Sequence, residues 1–326
     1  MPDAPVHFID LLGLERDWVV NVLDEAERLR AARGTTTAPR PLNGRTAALV
    51  FHKPSLRTRV SFTVGMHDLG GDVVDLSAAE VSETGREGLQ DVAQVLSTMC
   101  SLIVIRTFAH RIAQALAAHA SVPVINALTD HSHPCQILSD LYTLRRNGRD
   151  LDRMTVAWVG DGNNVLHSWL QAATIFGFRL KIAVPDSFEP DGGLFIEAER
   201  RSKGGVLRTR DPREAVTGAD VVYTDTWTSM GHEKDAEWRR VMFAGFQVNE
   251  ALMSLAKPDA SFMHCLPAHR GEEVTDAVMD GPQSIVIEQA GNRLHLQKGL
   301  MAELVRANAA AGTAGAKKSA SVAAGA

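Results

Sequence analysis

Short apolar segments alternate with helical segments along most of this chain, and this alternation restricts the possible folds more than any other feature. In the first half the strands are predicted at Thr46–Phe51, 72–76, 102–106 and 122–126, with helical segments between most of them. The connections are too long for hairpins, so neighbouring strands should run parallel, with helices on both faces of the sheet. The first half therefore predicts a parallel α/β sheet.

A second alternating series follows residue 150. Its strands are predicted at 155–159, 180–184, 205–207, 221–224, 261–264 and 284–287. The basic stretch 145–149, which contains Gly148, lies between the two series and is the best candidate for a domain boundary. The predicted fold class is α/β, with two doubly wound parallel-sheet domains, 1–147 and 148–291, joined by inter-domain helices.

The two ends of the chain complete this prediction. An amphipathic helix is expected over 15–33, where it would cover a sheet. A final helix at 292–308 is expected to pack back on the first domain. Beyond it, residues 309–326 form an Ala/Gly/Ser tail without large apolar side chains, which predicts disorder.

Composition excludes several classes of protein. Among 326 residues the net charge is −5, and lysines and arginines are scattered, which argues against a nucleic-acid surface. No segment predicts a membrane span, and the first residues lack the features of a secretory signal, so a cytoplasmic protein is expected. Cys100, Cys135 and Cys265 are far apart, which favours reduced thiols over a disulfide framework or a thiolate zinc site.

The segment Ser55–Arg59 follows the first predicted strand and begins a helix after Pro54. Unpaired backbone N–H groups and a partial positive charge lie at a helix N-terminus, where arginines are mildly unfavourable. Two arginines and two hydroxyls at this corner provide the donors needed to hold a phosphate. An ordinary capped helix with solvated arginines is the alternative interpretation.

Other polar residues also follow predicted strands. In the first half these are Arg106 and the segment 130–136, which contains His133 and Gln136. Parallel α/β sheets bind ligands beyond the carboxyl ends of their strands, so this convergence favours a binding site. In the second half the corresponding segments are 160–164, 225–231 and 264–267.

The residues at these strand ends also bear on two other kinds of site, a dinucleotide site and a metal site. The segment Gly160–Asn164 resembles half of a dinucleotide fingerprint, but Val165 occupies the third small position, which argues against a nicotinamide enzyme. The histidines, Cys265 and Asp140 lack the spacing of a zinc site, so no metal is expected. Cys265 is poorly placed for activation by His264, because adjacent residues at a strand end point to opposite faces.

These residues resemble the aspartate/ornithine carbamoyltransferase family over about residues 6 to 306. Ser55-Leu56-Arg57-Thr58-Arg59 matches its carbamoyl-phosphate motif, and His133-Pro134-Cys135-Gln136 matches its second motif. The segment 264–273, with the sequence HCLPAHRGEE, matches the ornithine branch, as does the loop 225–231 with its Ser229-Met230-Gly231.

The resemblance implies transfer of a carbamoyl group from carbamoyl phosphate to the δ-amine of L-ornithine, giving L-citrulline and phosphate in arginine biosynthesis. It implies no metal or organic cofactor. It also implies a homotrimer, or a multiple of trimers, with active sites between subunits. Carbamoyl phosphate and L-ornithine are thus the expected partners, with no nucleic acid and no membrane.

The resemblance also implies roles for individual residues. The carbamoyl-phosphate site would comprise Ser55, Leu56, Arg57, Thr58, Arg106, His133, Gln136, Cys265, Leu266 and Arg293. The ornithine site would comprise Asn164, Asp225, Ser229 and Met230. The expected catalytic residues are Arg106, His133, Cys265 and Asp225.

Several positions depart from the family pattern. Leu56 replaces a commoner threonine, but its backbone donor is retained, while His52 and Thr63 stand where glutamates often brace the arginines. Glu83 stands where a glutamine often reaches a neighbouring subunit's donor site. Ser82, Glu83 and Arg86 are therefore candidates for that contact across the trimer.

Two alternatives remain open from the sequence. The first is a transcarbamoylase with another amine acceptor, such as N-acetylornithine, putrescine or lysine. The second is a small-molecule-binding paralogue without activity. The loop around Glu83 keeps the first alternative open, whereas the complete set of donor and acceptor residues argues against the second.

Overall fold

The computed structural model of the chain describes residues 7–78, 80–82, 85–229, 231 and 233–323, with side chains up to residue 310. It divides into two compact units. The first contains the residues up to Asp10, Leu14–Asp130 and the residues from Arg293 onward, and the second contains Leu11–Gly13 and His131–Asn292. None of the helices among the described residues has the length and apolar character needed to cross a membrane.

The first unit is built on a four-stranded parallel sheet with the order β2-β1-β3-β4. The strands are β1 (Thr46–Phe51), β2 (Asp72–Leu76), β3 (Leu102–Arg106) and β4 (Val124–Leu128). The helices are α1 (Arg16–Ala31), α2 (Leu56–Asp68), α3 (Leu89–Met99) and α4 (His110–His119). β3 and β4 are buried throughout, as expected for continuous apolar strands of a sheet covered on both faces.

The second unit is built on a five-stranded parallel sheet with the order β7-β6-β5-β8-β9. Its strands are β5 (Thr155–Val159), β6 (Arg179–Ala183), β7 (Val206–Thr209), β8 (Val221–Thr224) and β9 (Ser261–His264). Its helices are α5 (Pro134–Arg146), α6 (Asn164–Phe176), α7 (Gly192–Arg201), α8 (Pro212–Val216), α9 (Ala236–Met242), α10 (Glu250–Met253) and α11 (Asp276–Met279). The predicted fold class, with two parallel sheets and helices between their strands, is confirmed.

The last helix, α12 (Val286–Ala323), packs against α1. A Cβ at Gly299 would lie 2.8 Å from the Val22 carbonyl oxygen and 2.7 Å from the Ala26 amide nitrogen, so only glycine permits this approach. Nearby, the buried Lys298 ammonium lies 3.1 Å from Asp68 Oδ2. Burial lowers the pKa of Lys298.

Two predicted elements differ from the structure. The segment 284–287 is not a strand, because only Ser284 bridges to Phe262 before α12 begins; a short apolar run fits either state. α12 continues beyond residue 308 into the alanine-rich tail for which we predicted disorder, and alanine has the highest helix propensity. The second compact unit contains α5, which packs with α6, while the domain boundary predicted after residue 147 stays a prediction.

Candidate active site

The corner between β1 and α2 contains the residues Ser55–Arg59, which we call the arginine corner. Ser55 occupies the N-cap position in an extended conformation, but its side chain makes no capping hydrogen bond. No acidic residue lies in the first turn of α2. The backbone N–H groups and the Ser55 hydroxyl therefore lie at a helix end whose partial positive charge favours an anion.

The two arginines of this corner have different surroundings. Arg59 forms an ion pair with Asp75, and its guanidinium lies 4.6 Å from the centre of the Phe51 ring. Arg57 is half-buried at the second position of α2. Both arginines thus lie at the helix end that favours an anion, and Asp75 offsets part of the charge of Arg59.

Buried cations lie at the ends of the neighbouring strands. Arg106 ends β3 and is 7% exposed, and Lys53, also 7% exposed, places its ammonium 4.0 Å from the centre of the Phe108 ring. Burial lowers the pKa of Lys53, and the positive charge of Arg106 lowers it further. A bound anion would relieve this repulsion. The sequence analysis did not select Lys53, although a lysine beside the arginine corner was a usable signal.

A distant residue also reaches the arginine corner. Arg293, near the start of α12, donates from Nη2 to the Thr58 hydroxyl over 2.9 Å, and both side chains are buried. The two residues are 235 positions apart in the chain. The structure thus brings together Thr58 and Arg293, which the resemblance placed in one site.

The strand ends of the second unit converge on a buried carboxylate, Asp225. Its Oδ1 accepts from the Cys265 thiol over 2.9 Å and from the Thr226 amide over 2.8 Å. Its Oδ2 accepts from Asn163 Nδ2 over 2.8 Å. We call Asp225, Cys265 and Asn163 the carboxylate cluster. The predicted pair Asp225 and Cys265 is therefore brought together.

Asn163 was missed by the sequence analysis, which selected its neighbour Asn164. Asn163 is the N-cap of α6, and its Oδ1 accepts from the amides of Val165 and Leu166 over 2.9 and 3.2 Å. The remaining end of the amide is then fixed as a donor toward Asp225. Asn164 is the first residue of α6. An asparagine directly before a helix indicates an N-cap. The sequence does not indicate the second contact of Asn163, which is with Asp225.

Both ring nitrogens of His264 bond to groups other than the Cys265 thiol. Its Nδ1 accepts from the Leu266 amide over 2.8 Å, so Nε2 carries the proton and donates to Glu273 Oε1 over 3.1 Å. The side chains of His264 and Glu273 are fully buried. His264 therefore does not serve as a base for Cys265, in agreement with the argument from adjacent positions.

Ligand atoms of two groups of side chains lie within 4.8 Å of one another among the described residues: Asp225, His264 and Cys265, and His269, Glu272 and Glu273. In the first group both ring nitrogens of His264 already bond to Leu266 and Glu273. In the second group Glu273 Oε1 accepts from His264 and from the His269 amide. In the first group these bonds occupy both ring nitrogens of His264, whereas in the second group Glu273 Oε2 has no hydrogen-bond partner among the described residues.

Two further residues that the resemblance placed in the site, His133 and Gln136, lie at the start of α5. His133 is the N-cap of α5, and its amide donates to Ser168 Oγ over 2.8 Å. Gln136 is 1% exposed, and its Nε2 donates to Asp140 Oδ1 over 2.9 Å. The other end of that amide, Oε1, is buried and has no hydrogen-bond partner. Gln136 therefore offers an acceptor to a ligand.

The remaining selected residues lie in loops. Ser229 is half-buried and Leu266 has a positive φ of 60°, while Met230 lies outside the described residues. Ser82 is half-buried and its carbonyl accepts from the Gly85 amide over 3.1 Å; Arg86 is exposed. Glu83 also lies outside the described residues. Of these loop positions, Leu266 contributes its amide to the contact with His264 Nδ1 described above.

Comparison with known proteins matches two domains of one family to this chain. Residues 6–146 match the aspartate/ornithine carbamoyltransferase carbamoyl-P binding domain, and residues 152–304 match the Asp/Orn binding domain of the same family. An ornithine carbamoyltransferase of Nitrobacter winogradskyi is 49% identical over 304 residues, covering 93% of this chain and 98% of the relative. One from Syntrophus aciditrophicus is 47% identical over 297 residues, covering 91% of this chain and 98% of the relative.

A solved structure gives the same result. The ornithine carbamoyltransferase from Pyrococcus furiosus superposes with a TM-score of 0.87 at 44% identity, covering 91% of this chain and 96% of that one. The matches cover both sheets and all of the motifs that carry the resemblance. This chain belongs to the aspartate/ornithine carbamoyltransferase family.

Proposed function

We propose that this chain transfers the carbamoyl group of carbamoyl phosphate to the δ-amine of L-ornithine, with the residue roles given below. The products are L-citrulline and phosphate, a step of arginine biosynthesis. The observation that supports this function most directly is the buried Asp225 carboxylate, held by hydrogen bonds from Cys265, Asn163 and the Thr226 amide. A carboxylate fixed in this way is suited to an amino-acid ammonium group.

The arginine corner binds the phosphate of the donor. Ser55, Arg57 and Thr58 supply side-chain donors, and Leu56 supplies its backbone N–H at the first position of α2. The helix dipole and the buried charges of Lys53 and Arg106 favour a doubly charged leaving group. Arg293 reaches the same corner through Thr58.

The carbamoyl end of the donor is bound by a second set of groups. Arg106, His133 and Thr58 bond the carbonyl oxygen and stabilise the negative charge that develops on it during attack. Gln136 accepts from the carbamoyl amide through Oε1, and the backbone of Cys265 and Leu266 completes this set.

The acceptor is bound by the second unit. Asp225 and Ser229 pair with the α-ammonium of ornithine, while Asn164 and the Met230 backbone bind its α-carboxylate. Cys265 lies beside the δ-amine. The neutral δ-nitrogen attacks the carbonyl carbon, the bond from that carbon to the phosphate oxygen breaks, and the nitrogen loses a proton. Holding both reactants in this geometry supplies much of the rate enhancement.

The assembly is also proposed from the resemblance. A homotrimer, or a multiple of trimers, would place Ser82, Glu83 and Arg86 of one subunit near a neighbouring donor site. Light scattering on the purified protein would measure the mass, and a monomer would overturn this part of the proposal. A cytoplasmic location and the absence of a cofactor stay predictions of the sequence analysis.

A citrulline assay tests the proposed function. Purified protein is given carbamoyl phosphate with ornithine, N-acetylornithine, putrescine, lysine or aspartate in parallel reactions. Ornithine should be the preferred acceptor, and its preference over N-acetylornithine should follow from Asp225, which pairs with a free α-ammonium. Preference for another amine would overturn the acceptor assignment, and binding of both substrates without product would favour a non-catalytic paralogue.

A further inference from the structure

Asp140 is a fully buried carboxylate on α5, one turn after Gln136, and none of the roles above uses it. Three side chains from three elements donate to it. Gln136 Nε2 and Gln289 Nε2 donate to Oδ1 over 2.9 and 2.8 Å. The Tyr223 hydroxyl donates to Oδ2 over 2.9 Å. The aspartate therefore links α5, β8 and α12 in the interior of the second unit.

These contacts determine which way each glutamine amide faces. A side-chain amide has one donor end and one acceptor end, whereas a carboxylate only accepts. The nitrogen of Gln136 must therefore face Asp140, which leaves Oε1 on the opposite side. That oxygen is the buried acceptor that lacks a partner. The orientation follows from hydrogen bonding, which is how amide orientations are assigned.

The second glutamine repeats the arrangement. Gln289 gives its Nε2 to Asp140 and accepts with Oε1 from the His264 amide over 3.0 Å. Its Nε2 also lies 3.1 Å from the Tyr223 hydroxyl. The same carboxylate thus supports the end of β9, directly before Cys265. Burial and then the charge of Asp140 raise the pKa of Tyr223, so its hydroxyl stays a donor.

We propose that Asp140 is a positioning residue that sets the hydrogen-bond polarity of the carbamoyl site. By holding Nε2 of Gln136, it presents Oε1 as the acceptor for the amide of carbamoyl phosphate. This inference rests on the proposed function, in which Gln136 bonds that amide. The carbamoyl nitrogen carries two N–H donors. If the Gln136 amide were reversed, its Nε2 donor would face these N–H donors and weaken the binding of carbamoyl phosphate.

Two substitutions separate acceptor capacity from charge. In Asp140→Asn the side-chain oxygen can still accept from both glutamines while its nitrogen faces Tyr223, so the KM for carbamoyl phosphate should stay within about threefold of wild type. In Asp140→Leu the acceptor is lost, and this KM should rise by roughly ten- to a hundredfold, as expected for a lost and opposed hydrogen bond. The KM for ornithine should change much less.

A double-mutant cycle with Gln136→Ala tests whether Asp140 acts through Gln136. In the Gln136→Ala background, Asp140→Leu should raise the KM for carbamoyl phosphate by no more than about twofold. Tyr223→Phe is the matched control, because it removes another donor to the same carboxylate and leaves the Gln136 contact intact. Its KM for carbamoyl phosphate should equal that of wild type.

The inference would be overturned if Asp140→Leu raised the KM for carbamoyl phosphate equally in the wild-type and Gln136→Ala backgrounds. It would also be overturned if Asp140→Leu lowered the affinity for both substrates equally. Either result would indicate a structural role. A loss from Asp140→Asn as large as that from Asp140→Leu would also overturn it, because charge would then be the cause. If Asp140→Leu does not fold, Asp140→Ser replaces it in the cycle, since water can enter beside serine without fixing the direction of the amide. The same absence of effect in the Gln136→Ala background is expected.

The proposed function fails in a different way. If Gln136→Ala alone leaves the KM for carbamoyl phosphate unchanged, or if the wild-type protein forms no citrulline, the assignment of Gln136 or of the activity is wrong. If Gln136→Ala raises this KM while Asp140→Leu does not, only the role of Asp140 is wrong.

Discussion

The arginine corner of the first unit and the carboxylate cluster of the second unit, for which we propose ligand groups of opposite charge, are built in different ways. The four donors proposed for the corner come from four consecutive residues, Ser55–Thr58, at the start of one helix. The cluster draws Asp225, Cys265 and Asn163 from three different strand ends. Recognition is therefore local in the first unit and depends on sheet topology in the second.

The two regions also differ in how firmly their side chains are held. Asp225 accepts three hydrogen bonds of 2.8 to 2.9 Å. At the arginine corner, Ser55 makes no capping bond and the nearby Lys53 and Arg106 repel each other. Under the proposed function, the acceptor site would be organised before its ligand arrives, whereas a bound anion would stabilise the donor site. Substitutions in the two regions should therefore differ in how much they change activity and how much they change stability.

The largest effect is expected from Arg57→Ala. The variant should lose about a thousandfold in kcat/KM, because a cation that binds the leaving phosphate is removed. Its melting temperature should fall by no more than about 2 °C, since a cation at a helix N-terminus does not stabilise the helix. Steady-state kinetics and thermal unfolding measure the two quantities.

Arg153→Ala is the matched control for Arg57→Ala, because the Arg153 side chain is 87% exposed and lies 3.7 Å from Asp150. It should leave both activity and melting temperature unchanged. A sharp fall in melting temperature in Arg57→Ala would assign the residue to the structure and would break the contrast between the two regions.

Asp225→Asn should have the next largest effect. The kcat/KM for ornithine should fall by roughly a hundredfold, because a buried charged hydrogen bond to the ammonium is lost. The KM for carbamoyl phosphate should change little. Asp186→Asn, at a carboxylate that is 79% exposed and pairs with Arg210, is the control. A loss of affinity shared equally by both substrates would contradict the assignment of Asp225 to the acceptor.

Asn163→Ser should have a smaller effect on the same substrate. Serine is a good N-cap, so α6 should keep its stability, but the donor to Asp225 Oδ2 is removed. The KM for ornithine should rise about tenfold, equivalent to one hydrogen bond to a charged group. Asn249→Ser, at the N-cap of α10, preserves the same chemistry elsewhere and should leave this KM unchanged. An unchanged KM in both variants would show that Asn163 only caps the helix.

The smallest effect on activity is expected from Tyr223→Phe, which instead changes stability at alkaline pH. Burial and then Asp140 raise the pKa of Tyr223 well above its ordinary value of 10.0. Deprotonation is easier in the unfolded chain, so this contribution is fully present below pH 10 and is lost as the pH rises above it. The variant should lose about 1 kcal/mol at neutral pH.

Urea unfolding from pH 8 to 11 measures this prediction. Above pH 10 the stability of wild type should fall more steeply than that of Tyr223→Phe. Parallel curves would mean that the Tyr223 hydroxyl does not titrate differently in the folded protein.

The sequence analysis identified the sites of the first unit more completely than those of the second. The corner Ser55–Thr58 was recognisable because capping, helix polarity and charge act within a few residues. The position of Lys53 beside the arginine corner was a usable signal, but its burial, which lowers its pKa, cannot be read from the sequence. In the second unit the strand ends were located, but the contact between Asn163 and Asp225 was not predicted, and the role of Asn164 toward the ornithine α-carboxylate stays a prediction.

What the sequence determined by itself was the class of fold and the position of the chemistry. Alternating strands and helices with long connections specify parallel sheets, and parallel sheets place ligands at the carboxyl ends of their strands. Only the tertiary structure decided which side chains touch. The partners of Asp225 and Asp140 include residues 40 and 149 positions away, Cys265 and Gln289. Such pairs depend on the order of strands in the sheet and on helix packing, which no local pattern encodes.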